Sequence, residues 1–296
     1  MRGCLNVKGD YSGGVVGYID GGMVFKCINE GVIESISDFV GGIVGYDYSD
    51  NKYGDSYRIA CCVNKGSIRG YVNVGGILGG LKRHYNNINY STSHNVLYGN
   101  INYGEIYGTR NTGGVIGFCC GRNEKGPHAG SVGYTIKVVN CLNVGHVESR
   151  ESCGGICGLA TSEYYYYFGG NGTYSYAGHM YVSFPNSVNC GEHGLVGTFV
   201  KSPIKHENTS SFETDYLLRG GYWLYDIVAN VGQEDGVGEG GDYLDGWFVR
   251  DMAACYLKGI QDLVLILNGS EYCANNCWRY EVIDGYVRPI FDVNNL

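Results

Sequence analysis

Small, aliphatic and polar positions recur along the first two thirds of the chain in a fixed order. One half of the recurring unit reads small, aliphatic, Asn, any residue, Gly; the other half reads Gly, Gly, aliphatic, aliphatic or Cys, Gly. Cys4-Leu5-Asn6 is followed by Gly13-Gly14-Val15-Val16-Gly17, and Cys27-Ile28-Asn29-Glu30-Gly31 by Gly41-Gly42-Ile43-Val44-Gly45. Cys62-Val63-Asn64-Lys65-Gly66 precedes Gly75-Gly76-Ile77-Leu78-Gly79, and Asn100-Ile101-Asn102-Tyr103-Gly104 precedes Gly113-Gly114-Val115-Ile116-Gly117. Cys141-Leu142-Asn143-Val144-Gly145 leads to Gly154-Gly155-Ile156-Cys157-Gly158, and a decayed copy runs Ser187-Val188-Asn189-Cys190-Gly191 into Gly194-Leu195-Val196-Gly197. From the second to the fifth copy the two halves lie 14, 13, 13 and 13 residues apart, and in the first copy only 9.

A motif that returns in this way predicts coils stacked on one another, each motif position becoming a column. The first column holds Cys4, Cys27, Cys62, Asn100, Cys141 and Ser187, all small. The second holds branched aliphatics and is expected in the core. The third is Asn6, Asn29, Asn64, Asn102, Asn143 and Asn189. Stacked Asn side chains can hydrogen-bond along the column and satisfy backbone at a turn. The Gly that follows each Asn suits a positive-φ corner. First positions lie 23, 35, 38, 41 and 46 residues apart, so one coil needs about the shortest of these and the excess leaves as loops. The inserts run over 47–57, 81–93, 119–131 and 161–180 and are rich in Tyr, Asn and Gly. The expected fold class is all-β, a parallel β-solenoid (β-helix) of about six degenerate coils over residues 1–200.

Beyond Lys201 the pattern changes. Ile260, Leu263, Val264 and Leu267 fall on one face of a helix, which the Asn268-Gly269 pair ends. Two alternating runs, 277–283 and 286–291, flank Asp284-Gly285, a hairpin signal. Residues 201–296 are therefore expected to form a C-terminal α+β cap with one helix over about 251–268 and a terminal β-hairpin. A cap would shield the open strand edges and core of the last coil.

The Cys-x-Asn-x-Gly and Gly-Gly-[Ile/Val]-x-Gly unit resembles the GLUG-type repeats of bacterial and protist surface proteins. Such repeats also flank the peptidase unit of some immunoglobulin A-cleaving metalloproteases. The resemblance covers roughly residues 4–200. It implies a β-solenoid, extracellular or cell-surface exposure and an adhesion-like role. The chain departs from the family pattern in its long inserts, and no signal peptide is legible where Met1-Arg2-Gly3 runs into the first repeat.

Composition narrows the partners. Hydrophobic residues make up 44% and charged residues 17%, so the chain can bury a core. Gly numbers 50 and Tyr 28 against only 4 Pro, which excludes collagen and suits short strands joined by tight turns. A net charge of −8 with no basic stripe argues against nucleic acid. No apolar run, that of Leu263 to Leu267 included, comes near the length needed to span a membrane.

Candidate chemistry is sparse. The 13 cysteines fall mostly on repeat positions, where buried small side chains are the plain reading and a disulfide between coils is sterically conceivable. Cys61-Cys62 and Cys119-Cys120 are expected to point to opposite faces of a strand, and Cys273 and Cys277 are candidates for a pair across a loop. The only His-Glu pair, His206-Glu207, lacks the second His of a zinc-protease helix, and the 7 His are scattered. No paired acids recur at equivalent repeat positions, as a carbohydrate-cleaving β-helix would need. The acidic stretch Glu234, Asp235, Glu239, Asp242, Asp245 reads as a solvated Gly-rich loop. Glu239, Asp242 and Asp245 are its candidates for calcium. Tyr164, Tyr165, Tyr166 and Tyr167 pack in the longest insert or contact a ligand, since Tyr offers apolar area with one polar tip. Asn89, Asn171, Asn208 and Asn268 fit the N-glycosylation pattern.

The sequence thus points to a non-enzymatic surface or secreted repeat protein that presents Tyr/Asn/Gly-rich loops to a protein or glycan, with no cofactor. A carbohydrate-active enzyme on a β-helix and a structural spacer within a larger surface protein are the alternatives.

Overall fold

The computed structural model describes residues 4–7, 9–48, 58–83, 94–121, 134–162, 166–168, 174–176, 180–184, 187–191, 193, 196–201, 218–219, 222–224, 237–239, 249–250, 253–255, 260–268, 278–284 and 286–291. Most of the elements they form are short parallel strands stacked into a β-solenoid. One complete rung has five strands, numbered here as faces 1 to 5 in chain order. Rung 1 places Cys4–Val7, Tyr11–Gly13, Val16–Ile19, Val24–Phe25 and Ile28–Asn29 on faces 1 to 5, and rung 2 begins at Val32. Faces 1 and 2 stack 5 strands each, and faces 3, 4 and 5 stack 7 each. Rungs 6 and 7 continue faces 3 to 5 through Val196–Lys201, Leu218–Arg219 and Tyr222–Leu224, then Val237–Glu239, Val249–Arg250 and Ala253–Cys255. Parallel coiling therefore extends past residue 200, and Ala253–Cys255, expected as helix, pairs as a strand with Tyr222–Leu224. The helix itself is Ile260–Asn268.

The two halves of the repeat take two corners of the coil. The Asn closes face 5, before the corner to face 1. The Gly-Gly pair turns face 2 into face 3. Asn29, Asn64, Asn102, Asn143 and Asn189 stand in register on consecutive rungs. Each Nδ2 donates to the Oδ1 of the Asn on the next rung, at 2.8, 2.8, 2.8 and 2.9 Å. The second proton of each amide goes to a carbonyl two residues on, as from Asn102 to Gly104 at 3.0 Å. The ladder ends where Trp223 stands opposite Asn189.

Asn6 does not join this ladder. Cys4–Val7 pairs with Val32–Ser35 on face 1, which sets Asn6 beside Glu34. The short spacing of the first copy is the cause: Cys4 precedes Gly13 by the same 9 residues that separate Val32 from Gly41.

The glycines are required by close approach. Gly13, Gly41, Gly75, Gly113 and Gly154 share one register. A Cβ on Gly41 would sit 1.8 Å from the Val44 carbonyl oxygen, and one on Gly75 would sit 2.1 Å from that of Leu78. The second glycines, Gly42, Gly76, Gly114 and Gly155, lie against the Asn ladder across the coil: a Cβ would come within 2.8, 2.6, 2.3 and 2.0 Å of the Cγ of Asn64, Asn102, Asn143 and Asn189. The two halves of the motif therefore touch in the interior. The Gly after each Asn is also a matter of room rather than of positive φ. A Cβ on Gly66 would lie 1.8 Å from the Gly31 oxygen, while the positive-φ corner before face 5 is taken by Lys26, Cys61, Gly99 and Asn140.

Inside the coil, Ile43, Ile77, Val115 and Ile156 stack beside Val44, Leu78, Ile116, Cys157 and Val196, and face 1 adds Ile33, Ile68, Ile106 and Val147. The aliphatic column before the Asn behaves differently from expectation. Because Asn points inward, its neighbours Val63, Ile101, Leu142 and Val188 point outward. They are buried by Leu267 of the helix and by Tyr280 and Val287 of the hairpin Trp278–Ile283/Tyr286–Phe291. The Tyr103 hydroxyl donates to the Val287 carbonyl and the Tyr280 hydroxyl to that of Asn140. Where a plug for the end was expected, the described residues of the helix and hairpin cover a flank over rungs 2 to 5. Ile28, which heads the same column on rung 1, stays 45% exposed.

Candidate functional site: the loop-bearing edge

The inserts share one exit. Each leaves the coil between faces 3 and 4. The segments that cross this corner are 20–23, 48–58, 84–93, 122–133, 163–179, 202–217 and 240–248, on rungs 1 to 7 in turn. Rung 1 crosses with Asp20-Gly21-Gly22-Met23 alone, using positive φ at Gly21 and Gly22. Since neighbouring rungs lie ~4.8 Å apart, the seven exits form a row about 29 Å long. The strands beneath also lengthen: face 3 runs 4 residues in rungs 1 and 2 but 6 in rungs 3 to 6, as in Leu78–Arg83 and Val196–Lys201.

This corner collects the candidates that the sequence scattered. Tyr166–Phe168 pairs antiparallel with Tyr174–Tyr176, so Tyr166 and Tyr167 belong to a two-stranded unit within the fifth crossing; Tyr164 and Tyr165 lie outside the described residues. Glu239 ends the last strand of face 3 opposite Thr198, while Asp242 and Asp245 lie outside the described residues. Among the described residues no group of three or more His, Cys, Asp or Glu could hold a metal. Asn89, Asn171 and Asn208 fall in the third, fifth and sixth crossings. Asn268 instead clamps the helix to the hairpin, donating to the Tyr280 carbonyl at 2.8 Å and accepting from its amide at 2.6 Å.

One outward column of face 3 runs beside the exits: Tyr18, Tyr46, Gly80, Phe118, Leu159 and Thr198, with Glu239 next in register. At its head Tyr11, Tyr18, Phe39, Tyr46 and Tyr48 cluster. Tyr46 stacks on Tyr11 with centroids 4.9 Å apart, and Phe39 meets Tyr46 at 4.5 Å. Gly80 makes room for the Phe39 ring, since a Cβ there would lie 2.4 Å from it. Partial burial, then Asp20 and the other phenols, hold the Tyr18 hydroxyl above its ordinary pKa. Sequence reading missed this cluster because its members come from different strands of two rungs; the Tyr-x-x-x-x-x-x-Tyr spacing of Tyr11 and Tyr18 carries no periodic signal.

Among the described residues Cys27, Cys61, Cys62, Cys141 and Cys157 are free thiols. Cys62 Sγ donates to the Ala60 carbonyl at 3.3 Å and Cys141 Sγ to that of Val139 at 3.4 Å. Where the column changes residue, Asn100 and Ser187 bond Ile59 and Val138 carbonyls at 2.8 and 2.7 Å. Cys61 packs outward with Ala60, Tyr98 and Val139, while Cys62 packs inward. Cys119 is buried, and Cys120, Cys273 and Cys277 have no described side chain. Burial pushes the Cys62 and Cys141 thiols from 9.0 up to about 12, and those of Cys61 and Cys157 also upward. An unfolded chain ionises these thiols near 9.0, so folding keeps them neutral at a benefit that is whole below 9.0 and is lost as pH climbs toward about 12. The melting temperature is expected to fall with pH from 9.0 upward. The Cys62→Ser, Cys141→Ser variant, which reproduces the Ser187 bonds, should fall less steeply. Equal slopes for parent and variant would remove the thiols from the explanation.

Among the described residues no helix is long and apolar enough to cross a membrane. In comparisons with family models, curated proteins and solved structures, nothing matches this chain.

Proposed function

We propose that the chain is a non-enzymatic binding scaffold of the GLUG-type repeat kind, secreted or exposed at a cell surface, whose ligand is a protein or glycan held by the loops. One observation carries this reading: in rungs 1 to 5 the inserts all cross at one corner, while the other four corners take two to four residues each. Insertions scattered by drift would leave a solenoid at several corners, whereas a row of varied loops on one side of a rigid column is a binding edge. The Tyr-rich two-stranded unit of Tyr166–Phe168 and Tyr174–Tyr176 adds amphipathic rings, which suit contact with sugars and proteins alike.

The crossing of rung 1 shows how short a functional corner can be. Replacing 84–93 and 122–133 by the Asp20–Met23 crossing should leave the melting temperature within a few degrees and abolish retention of the purified chain on arrays of neutral glycans, acidic glycans and extracellular-matrix proteins. Retention unchanged by the replacement, or no retention of the parent chain on any array element, would sink the reading.

A further inference from the structure

The aromatic cluster at the head of face 3 is built from rungs 1 and 2, with Tyr48 at the start of the rung 2 crossing, and exposed carboxylates stand next to its members in the chain. Tyr46 lies within 24° of Tyr11 and of Tyr18, and Tyr18 within 23° of Tyr48, while the Tyr11 and Tyr18 rings, 5.3 Å apart, tilt by 46° to form a shallow angle between them. Tyr46 is 6% exposed and backs the group, whereas Tyr11 at 37% and Tyr18 at 42% present ring surface to solvent. Of the acids in residues 9–48, Asp47 is wholly buried and Glu30 and Glu34 lie at the corner to face 1 and on face 1, while Asp10, Asp20 and Asp38 are exposed beside Tyr11, Tyr18 and Phe39 in the chain. Glu30 and Glu34 are met from rung 2's successors by Lys65 at 3.7 Å and Arg69 at 4.0 Å. Asp10 and Asp38 sit on adjacent rungs, one before Tyr11 and one before Phe39, where the Phe39 amide donates to the Asp10 carbonyl. Asp20 follows Tyr18 by two positions. Among the described residues no Lys or Arg makes an ion pair with Asp10, Asp20 or Asp38.

Exposed tyrosine faces with exposed carboxylates beside them in the chain complement a cation that is flat, weakly hydrated and able to donate in a fork. That is a guanidinium. An ammonium fits less well, because its hydration is stronger and its donors point in no single plane. The chain holds an internal example of the same recognition: the Arg69 guanidinium lies 4.7 Å from the Tyr107 ring centroid on one neighbouring rung and 4.0 Å from Glu34 on the other. We propose that the Tyr11/Tyr18 face with Asp10, Asp20 and Asp38 is a docking site for an arginine-bearing segment of a partner polypeptide.

The test uses the full chain and a fluorescein-labelled peptide of alternating glycine and arginine, read by fluorescence anisotropy at physiological salt, with the glycine-lysine peptide alongside. The arginine peptide is expected to bind saturably and more tightly than the lysine peptide. Tyr11→Ala with Tyr18→Ala should weaken it about tenfold. Asp10→Asn with Asp38→Asn should weaken it comparably, and Glu148→Gln with Glu151→Gln on rung 5, an equal change of charge, should not. Should the tyrosine pair destabilise the fold, Tyr18→Ala alone and its melting curve provide the same comparison. Undiminished binding by the tyrosine variants, an equal loss in the rung 5 variant, or no saturable binding would overturn the proposal. The protein with shortened crossings at 84–93 and 122–133 should still bind the peptide, so failure here and failure of the loop-edge reading are separate results.

Discussion

Asn102→Ala is expected to destabilise the solenoid by roughly 3–5 kcal/mol, because the side chain closes four hydrogen bonds and its loss strands buried partners at about 1–3 kcal/mol each. Asn102 is wholly buried in the middle of the ladder. Its removal leaves the Asn64 Nδ2 without its acceptor and the Asn143 Oδ1 without its donor. The Gly104 amide and carbonyl, which the same side chain ties at 3.2 and 3.0 Å, are freed at the corner to rung 4. Water does not reach these groups, so their loss is not refunded by solvent. Asn189→Ala should cost distinctly less, since Asn189 ends the ladder and has an Asn neighbour on one side only. Chemical denaturation of the two variants checks the order, and equal losses would mean that the ladder is not a continuous unit.

The second large effect is steric. Gly76→Ala is expected to cost roughly 3 kcal/mol, the upper part of the usual range for overpacking, because the new methyl meets backbone rather than a flexible side chain. It would lie 2.2 Å from the Gly114 oxygen and 2.6 Å from the Asn102 Cγ. Gly9→Ala, with nothing within 4 Å, should be close to neutral. The two large substitutions also report on one another. Asn102→Ala removes the Cγ that the Gly76 methyl would strike, so the double variant should lose less than the sum of the singles. Strict additivity would show that the two halves of the repeat do not meet across the coil.

The sequence carried the solenoid because identical positions must stack. The recurring Asn and Gly-Gly named the two corners where neighbouring rungs make side-chain and backbone contact. It carried less about which way a column points. The aliphatic column at Val63, Ile101, Leu142 and Val188 looked like core, and it is buried, but from outside and by a segment more than 70 residues further along the chain. Only tertiary structure brings Leu267 there. Asn6 was misplaced because residue type was weighed above spacing, although the 9-residue step to Gly13 already matched the second strand of a rung. The helix came out shorter than expected, because apolar Ala253–Cys255 finds a strand partner in rung 6. The edge itself could have been found from the insert boundaries alone, as each begins just after a Gly-Gly-aliphatic-aliphatic-Gly unit. The aromatic cluster could not, since Tyr11, Phe39 and Tyr46 come together only through the stacking of two rungs.

The most direct test of the stacked architecture is a set of spin-label distances along one outward column. Glu34, Arg69, Tyr107 and Glu148 occupy successive rungs of face 1 in register. Labels attached through a genetically encoded ketone, which avoids the native thiols, report pairs 34–69, 34–107 and 34–148 by electron paramagnetic resonance. Stacked rungs predict backbone separations of about 5, 10 and 14 Å, rising in equal steps despite unequal sequence separations. A 34–148 separation beyond about 25 Å, or steps that follow sequence distance instead of rung number, would contradict the solenoid and the loop edge built on it.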